Sequence, residues 1–339
     1  MRPREDKELV FVTGADGFIG SHLTESLVAS GKYRVKALAQ YNSFNSIGWL
    51  DGLSAIKPPN LEVVSGDIRD HTFVANAIQG ADKVIHLAAL IAIPHSYTSP
   101  ESYVQTNVLG TLNVLEAARS AGVKRLLHTS TSETYGSART VPISEEHPLT
   151  GQSPYSATKI AADKLVESFH LSFDMPVVTV RPFNTYGPRQ SARAVIPTAI
   201  SQILSGRREI HLGAISPTRD FSFVSDTVSG FEAVLDSAEG LGETFNLGSG
   251  FEISIKDCVE LVAEIIGVEI SIVSDEARIR PENSEVERLL ADTSKVQRTF
   301  DWKPSHAGLD GFKSGLEKTI DWFKKPENRA RYKADVYNT

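Results

Sequence analysis

A glycine-rich turn follows the first apolar run of the chain, and it limits the possible folds more than any other feature. The run Val10-Phe11-Val12-Thr13 leads into Gly14-Ala15-Asp16-Gly17-Phe18-Ile19-Gly20, and a helical pattern then covers residues 21–29. These elements form a cradle for a pyrophosphate, because free amides and the positive end of the helix face the anion. The alternative is that the glycines serve only tight packing of the helix on the strand. The predicted dinucleotide contacts are Gly14, Asp16, Gly17, Phe18, Ile19 and Gly20.

Short apolar runs alternate with longer amphipathic stretches along the chain. This rhythm is typical of strand–helix–strand units in a parallel sheet that is buried on both faces. It predicts an α/β fold, a Rossmann-like doubly wound parallel sheet with a smaller C-terminal α/β substrate lobe. The predicted strands are 9–12, 34–38, 61–64, 83–87, 125–129, 177–181 and 244–247.

The alternation weakens between residues 182 and 219, where proline, glycine and arginine become frequent. We expect the chain to leave the sheet there and to build the second lobe over the carboxyl ends of the strands. The predicted cofactor domain comprises 1–181 and about 223–250. The predicted substrate lobe comprises about 182–222 and 251–325.

Composition excludes several classes of function. The 339 residues carry a net charge of −7 from mixed acidic and basic residues, so no strong positive field would recruit a nucleic acid. The lone cysteine, Cys258, excludes an internal disulfide and a cysteine zinc cluster, and it fits a buried apolar position in a reducing compartment. The N-terminus lacks a signal-peptide pattern, and the most lipid-like run, 87–93, is too short to cross a bilayer. We expect a cytoplasmic protein without a metal site, a nucleic-acid partner or a membrane partner.

The end of the second predicted strand bears on the choice of cofactor. An acid that binds the ribose 2′-hydroxyl is expected about 20 residues beyond the glycines, but the strand ends in Ala37-Leu38-Ala39-Gln40. No arginine stands there either, so a 2′-phosphate has no obvious partner. The sequence therefore favours NAD over NADP, with Gln40 at the site. Asp67, beside Ile68, is expected either to contact the adenine or to cap its loop.

Two segments carry candidate catalytic groups. Tyr155 and Lys159 lie one turn apart on a helix that starts at Ser153-Pro154. A neighbouring ammonium and a cationic nicotinamide would both favour the phenolate of Tyr155, whose ordinary pKa is about 10. The fifth strand runs into Thr129-Ser130-Thr131-Ser132-Glu133-Thr134-Tyr135, which places hydroxyls and a carboxylate where a parallel sheet presents chemistry. An exposed Tyr–Lys pair is the alternative for the helix considered alone.

Together with Asn107 in Thr106-Asn107-Val108-Leu109-Gly110-Thr111, these motifs resemble the extended short-chain dehydrogenase/reductase family over nearly the whole chain. The resemblance implies that Thr131 hydrogen-bonds a C4 hydroxyl, that Tyr155 is the general base and that Lys159 tunes its pKa. It also implies NAD as the cofactor. The further cofactor contacts that it implies are Leu87, Ala88, Ala89, Asn107, Tyr155, Lys159 and Pro182.

Position 133 distinguishes reactions within that family. Simple 4-epimerases usually lack an acid there, whereas Thr-Ser-Glu resembles GDP-mannose 4,6-dehydratases and other sugar dehydratases carry Thr-Asp-Glu. Glu133 is therefore the candidate base for a C5 proton, which becomes acidic once C4 is a ketone. Ser132 stands where the other dehydratases have an acid for the departing C6 hydroxyl. Either Ser132 relays a proton or Glu133 serves both roles, and a carboxylate that caps the following turn is the structural alternative for Glu133.

The resemblance extends to the substrate. Segments 181–189 and 219–221 and the pair at 280–281 resemble family segments that bind a sugar diphosphate, for which the forked donors of arginine are suited. Isolated arginines are more often solvated or paired with acids, so these assignments depend on the resemblance. The predicted substrate contacts are Asn184, Arg189, Val195, Arg219, Arg280 and Glu285.

Four further stretches, 40–45, 86–94, 190–197 and 216–221, look like the nucleotide-N-acetylglucosamine 4,6-dehydratases of bacterial legionaminic acid pathways. This resemblance implies a GDP- or UDP-linked N-acetylglucosamine substrate and a 4-keto-6-deoxy product. The alternatives are a nucleotide-uronate decarboxylase, a nucleotide-sugar 4-epimerase and a non-enzymatic dinucleotide sensor. Residues 103–121 and 154–173 resemble the long amphipathic helices that this family pairs, so we expect a homodimer or a tetramer of dimers.

Overall fold

The computed structural model describes residues 7–279 and 281–333, and a seven-stranded parallel sheet lies at its centre. The predicted α/β fold is confirmed, and each predicted strand begins or ends within two residues of its prediction. The strands are β1 (Leu9–Thr13), β2 (Arg34–Gln40), β3 (Leu61–Gly66), β4 (Lys83–His86), β5 (Arg125–Thr129), β6 (Val177–Pro182) and β10 (Thr244–Leu247). Their spatial order is β10-β6-β5-β4-β1-β2-β3.

Both faces of this sheet are covered, because alternate residues of each strand point to opposite sides. In β1, Val10 and Val12 belong to one apolar core and Phe11 to the other, and all three are fully buried. The helices around the sheet are α1 (Phe18–Ser30), α2 (Asp51–Ile56), α3 (His71–Ala77), α4 (Ile93–Thr98), α5 (Pro100–Tyr103), α6 (Gly110–Ser120), α7 (Pro154–Phe173) and α9 (Val224–Asp236). A π-helical segment, Val104–Leu109, joins α5 to α6.

The remaining elements form two smaller sheets and the helices that pack on them. Their strands are β7 (Asn184–Tyr186), β8 (Glu209–Leu212), β9 (Thr218–Phe223), β11 (Glu252–Ser254), β12 (Ser271–Ser274) and β13 (Arg288–Leu289). Strand β9 lies between β11 and β13 and also pairs with β7, whereas β12 pairs with β8. Their helices are α8 (Val195–Leu204), α10 (Ile255–Ile266), α11 (Ser294–Phe300), α12 (Gly308–Lys324) and α13 (Pro326–Arg329). The bounds of the two domains stay a prediction.

The C-terminal segment connects the two parts of the molecule through aromatic contacts. The ring of Trp49 lies 5.6 Å from that of Trp322 and 6.5 Å from that of Tyr332. The hydroxyl of Tyr332 donates to the backbone oxygen of Gln190 at 2.9 Å. One segment therefore supports both the loop after β2 and the loop before α8.

The structure bears on the lone cysteine and on membrane crossing. Cys258 is fully buried in the apolar core, as expected for a small apolar residue. Across 7–279 and 281–333, no helix combines the length and the apolar character that crossing a membrane requires.

The close approach of α1 to the glycine turn yields a prediction about stability. A Cβ atom at position 20 would overlap the backbone oxygen of Gly14 and lie 2.9 Å from the Cα atom of Ala15. Because backbone atoms cannot move aside cheaply, Gly20→Ala should lower the free energy of unfolding by about 3 kcal/mol. Urea denaturation followed by circular dichroism would measure the change.

Gly52→Ala is the matched control, because nothing lies within 4 Å of a Cβ atom built at position 52, in α2. It should leave stability unchanged or raise it by less than about 1 kcal/mol. Equal stabilities for the two variants would contradict the packing described for the turn.

Candidate active site

A cavity of about 680 Å³ extends along the carboxyl ends of the central strands and continues between the sheet and the smaller lobe. This is the position at which open parallel sheets bind ligands, and the volume suits a cofactor with a small substrate. Its cofactor end is formed by the glycine turn, Gln40 and Asp67. Its substrate end is formed by Arg193, Arg219 and Arg278, and the Thr131–Glu133 segment lies between the two ends.

Most of the residues singled out from the sequence line this cavity. At the cofactor end and in the middle they are Gly14, Asp16, Gly17, Phe18, Ile19, Gly20, Gln40, Asp67, Ile68, Leu87, Ala88, Ala89, Thr131, Ser132, Glu133, Tyr155 and Pro182. At the substrate end they are Asn184, Val195, Arg219 and Glu285. Asn107, Lys159 and Arg189 lie behind the wall or outside it, and Arg280 falls outside the described residues.

Asn107 and Lys159 are buried and hold the wall in place. The side chain of Asn107 accepts a hydrogen bond from the Leu90 N–H at 2.8 Å and donates to the Leu90 carbonyl at 3.0 Å. It also donates to the hydroxyl of Thr158 on α7 at 3.1 Å, so it fastens the loop after β4 to that helix. The ammonium of Lys159 donates to the backbone oxygen of Thr129 at 2.7 Å. Neither side chain is among those that line the cavity, and the contact of both residues with the cofactor stays a prediction.

Arg189 is not directed into the cavity, and its expected contact with a diphosphate needs correction. Its guanidinium is paired with Glu25 of α1 at 2.9 Å and donates to the hydroxyl of Ser21 at 3.2 Å. Both partners lie on the helix that follows the glycine turn. The arginine therefore joins this helix to the loop after β7, and its charge is already balanced.

The segment after β5 directs hydroxyls and a carboxylate into the cavity. Thr131 caps a short 3-10 helix, Ser132–Tyr135, because its hydroxyl accepts from the Glu133 N–H at 3.3 Å. Since Thr131 supplies the cap, the carboxylate of Glu133 is not needed for that purpose. Among the described residues, no hydrogen bond or ion pair engages this carboxylate, and it lines the cavity close enough to Tyr155 to influence its ionisation.

Tyr155 stands in the first turn of α7, which begins with a capping box formed by Ser153 and Ser156. Burial raises the pKa of Tyr155, the hydroxyl of Thr131 opposes that shift, and the negative charge of Glu133 adds to it. Burial also lowers the pKa of Lys159 to about 8. The lowered phenol pKa expected from the sequence is therefore not produced by the protein alone, because burial and the charge of Glu133 outweigh the hydrogen bond of Thr131.

Sequence analysis missed the acid that supports these groups. Asp163 lies one turn after Lys159 on α7 and is buried. Its carboxylate accepts from Ser130 at 2.8 Å, contacts His128 at 3.1 Å and is paired with Arg181 at 2.8 Å. Burial would raise the pKa of Asp163, but the hydrogen bond with His128 and the charge of Arg181 lower it to about 2. The spacing of positions 155, 159 and 163 on one helix face was the available signal.

The substrate end is rich in guanidinium groups. Arg219 is buried and lies 3.0 Å from Glu285, and Arg278 lies 2.8 Å from Asp275. Sequence analysis did not single out Arg193 or Arg278 as site residues, although the run of arginines at 278–280 was a signal for the second. Within 7–279 and 281–333, no group of three or more His, Cys, Asp or Glu side chains could hold a metal ion.

The cofactor end fits a dinucleotide. Gly14 has φ +67°, and a Cβ atom there would lie 2.8 Å from the backbone nitrogen of Ala88, so only glycine allows this close approach. No side chain caps the N-terminus of α1, which leaves its first amides directed towards the cavity. Uncapped amides at a helix N-terminus are suited to a pyrophosphate.

Known proteins share this architecture. The family model of GDP-mannose 4,6 dehydratase matches residues 11–315. The low-salt glycan biosynthesis protein Agl12 of Haloferax volcanii is 33% identical over 318 residues, which cover 93% of this chain and 98% of that protein.

Two solved structures are also similar. A dTDP-glucose 4,6-dehydratase from Streptomyces venezuelae, crystallised with NAD, has a TM-score of 0.84 at 29% identity over 96% of this chain and 98% of its own. A UDP-glucuronic acid 4-epimerase from Bacillus cereus, in complex with UDP-glucuronic acid and NAD, has a TM-score of 0.85 at 28% identity. The match covers 93% of this chain and 99% of that one. The similar structures thus include both a dehydratase and an epimerase.

The burial of Lys159 predicts an unusual titration. In protein labelled with ¹³C at the lysine Cε position, one lysine signal should titrate near pH 8, while exposed lysines titrate near 10.5. The ammonium is present below this pH and is lost above it. That signal should be absent from Lys159→Arg, which identifies it.

Asp163→Asn should lower this titration midpoint further, because the carboxylate of Asp163 favours the ammonium. Lys324→Arg, which replaces an exposed lysine on α12, is the control and should leave the midpoint unchanged. If every lysine signal titrates above pH 10, the electrostatic description of this site is wrong.

Proposed function

The chain belongs to the GDP-mannose 4,6 dehydratase family, within the NAD-dependent epimerase/dehydratase group of short-chain dehydrogenases/reductases, and from this premise we propose that it is an NAD-dependent nucleotide-sugar 4,6-dehydratase. One observation carries the proposal. The carboxylate of Glu133 lines the same cavity as Thr131 and Tyr155 and is engaged by no other described group. A base beside the phenol gives the site a second proton acceptor, which elimination requires and simple oxidation does not.

The residues at the cofactor end support NAD as the cofactor. The amides after Gly17 would face the pyrophosphate, and Gln40, Asp67 and Ile68 would surround the adenosine. NAD, when bound there, supplies the acceptor for the hydride of C4 and the donor that returns a hydride to C6.

The proposed proton transfers use groups of the chain itself. Tyr155 takes the proton of the C4 hydroxyl, while Thr131 donates a hydrogen bond to the same oxygen. Once C4 is a ketone, Glu133 removes the acidified C5 proton, and the C6 hydroxyl leaves as water. The proton that this departing hydroxyl needs comes either through Ser132 or from Glu133 itself. C5 regains a proton, exchanged with solvent at Glu133, when the hydride returns to C6. Lys159 and the Asp163 cluster position Tyr155 from behind the wall.

We propose GDP- or UDP-linked N-acetylglucosamine, or a related hexose, as the substrate. The amino sugar is supported by the resemblance of residues 40–45, 86–94, 190–197 and 216–221 to nucleotide-N-acetylglucosamine 4,6-dehydratases. The guanidinium groups at the substrate end support a nucleoside diphosphate. Two other reactions belong to the same chemistry: 4-epimerisation, which the Bacillus cereus relative carries out, and decarboxylation of a nucleotide uronate. Glu133 favours elimination over epimerisation.

A panel of sugar nucleotides tests the proposal. Purified protein with NAD would be incubated with GDP-, UDP- and dTDP-hexoses, their N-acetyl forms and UDP-glucuronate, and the products identified by mass and NMR. A loss of 18 mass units with a new C6 methyl group indicates dehydration. An unchanged mass indicates epimerisation, and release of carbon dioxide indicates decarboxylation. Either of the latter as the sole activity would refute the proposal.

Glu133→Gln should separate the two halves of the reaction. Without the carboxylate, deuterium from D₂O should no longer enter C5, and dehydration should slow by about 10²- to 10⁴-fold, the usual contribution of a general base. Oxidation at C4 should stay detectable as NADH absorbance. Glu116→Gln on the exposed face of α6 is the control. Unchanged product formation in Glu133→Gln would contradict the role of this carboxylate.

We also propose a homodimer through α6 and α7. The π-helical segment before α6 leaves Val104 and Leu109 about half exposed, and Leu171 and Phe173 are exposed at the end of α7. Adjacent helices that expose apolar side chains are suited to pairing with a second copy.

The double variant Val104→Glu/Leu109→Glu should therefore sediment as a monomer, whereas the wild type sediments as a dimer or a larger assembly. Charges on a paired apolar face would lose their hydration without gaining a partner. Leu309→Glu, at an exposed leucine of α12, is the control and should not change the assembly. A monomeric wild type at micromolar concentration would refute the dimer.

A further inference from the structure

The cofactor end contains an acid where the sequence offered none. Strand β2 ends at Gln40 without an aspartate or glutamate, the residues that usually bind the adenosine ribose. The structure brings Asp16 of the glycine turn to this point. Its Oδ2 atom accepts a hydrogen bond from the backbone N–H of Gln40 at 3.2 Å, and both residues line the cavity.

The position of Asp16 is fixed by the loop after β2. The Trp49 N–H donates to the backbone oxygen of Asp16 at 3.2 Å. Gly48 has φ +62°, and a Cβ atom there would lie 2.6 Å from that same oxygen. Ser46 and Asp51 brace the loop by a hydrogen bond of 3.0 Å. The carboxylate is therefore held at the end of β2 rather than left mobile on a turn.

The local charge at this end is negative. The guanidinium of Arg69 lines the cavity but is held by Asp67, with Nε 3.0 Å from both carboxylate oxygens and Nη2 2.6 Å from one. Arg69 follows β3, which pairs with β2 so that Gly66 lies opposite Gln40. Among the described residues, no cation is paired with Asp16. Asp16 thus adds a negative charge that Arg69, already balanced by Asp67, does not offset.

We propose that Asp16 replaces the missing acid of β2: its carboxylate accepts hydrogen bonds from the hydroxyls of the adenosine ribose and repels a 2′-phosphate, so that this chain selects NAD over NADP. The inference rests on the proposed function only in that a nicotinamide dinucleotide occupies the cavity. Burial raises the pKa of Asp16, which agrees with a carboxylate that lacks a positively charged partner. A ribose hydroxyl would donate a hydrogen bond to this carboxylate without adding a charge.

Binding measurements on the wild type test the proposal without catalysis. Isothermal titration calorimetry would compare ADP-ribose, 2′-deoxy-ADP-ribose and 2′-phospho-ADP-ribose. A hydrogen bond to a charged acceptor is expected to be worth about 10- to 100-fold in affinity. ADP-ribose should therefore bind at least about 10-fold more tightly than either analogue. Equal binding of ADP-ribose and its 2′-phosphate would overturn the proposal.

Two variants locate the effect at Asp16. Asp16→Asn keeps an acceptor for the Gln40 N–H, and Asp16→Ser removes the charge with a smaller side chain. Both variants should bind ADP-ribose about 10-fold more weakly than the wild type does. The ratio of their affinities for ADP-ribose and 2′-phospho-ADP-ribose should fall by at least the same factor. Asp321→Asn, at an exposed residue of α12, makes the same change in net charge and should alter neither affinity. A preference for ADP-ribose that survives in both variants would overturn the assignment to Asp16.

The two proposals fail in different ways. If neither NAD nor ADP-ribose binds, the proposed dehydratase function falls. If NAD and NADP bind equally well and dehydration proceeds with both, the function stands and the role of Asp16 is refuted. Thermal denaturation of each variant without ligand checks that the fold is retained, and the wild-type comparison remains decisive where a variant does not fold.

Discussion

The buried carboxylate of Asp163 joins three elements of the central sheet and its helices beside the candidate active site. It joins α7 to β5 through Ser130 and His128, and to β6 through Arg181. An unpaired charge in such a position would cost several kcal/mol, so these partners must keep their places for the fold to form. Lys159 and Tyr155 lie on the same helix, one and two turns earlier respectively. The Asp163–Arg181 ion pair thus supports their positions relative to the end of β5, and it contacts the cavity wall through the hydroxyl of Ser130.

A second constraint acts at the cofactor end, and it is steric rather than electrostatic. Gly14 brings the turn against the backbone of Ala88, and Gly20 brings α1 against the turn. The loop after β4, which contains Ala88, is in turn fastened to α7 through Asn107 and Thr158. The cofactor end and the catalytic helix are thus connected by a short path of backbone contacts and one amide side chain. Asn107 therefore has a structural role at this junction, although it does not line the cavity.

Features that depend on neighbouring residues could be predicted from the sequence. The seven strands, the glycine turn, the capped start of α7 and the Thr131–Glu133 segment all follow from short-range patterns. What could not be predicted were contacts between residues distant in the sequence. Arg189 was expected at a diphosphate, but its partner Glu25 is 164 residues away. The acid missing from β2 is supplied from 24 residues earlier. The direction of the pKa shift of Tyr155 also depends on burial, which no spacing of charges reveals.

The proposed distinction between a dehydratase and an epimerase depends on the short 3-10 helix after β5. Thr131 has an extended backbone and caps that turn, so Glu133 occupies its first turn with the carboxylate free to face the cavity. If Glu133 supplied the cap, its carboxylate would accept a hydrogen bond from a backbone amide and would be a weaker proton acceptor. The hydroxyl of Thr131 thus serves as the cap, which leaves the carboxylate of Glu133 available for the role proposed for it.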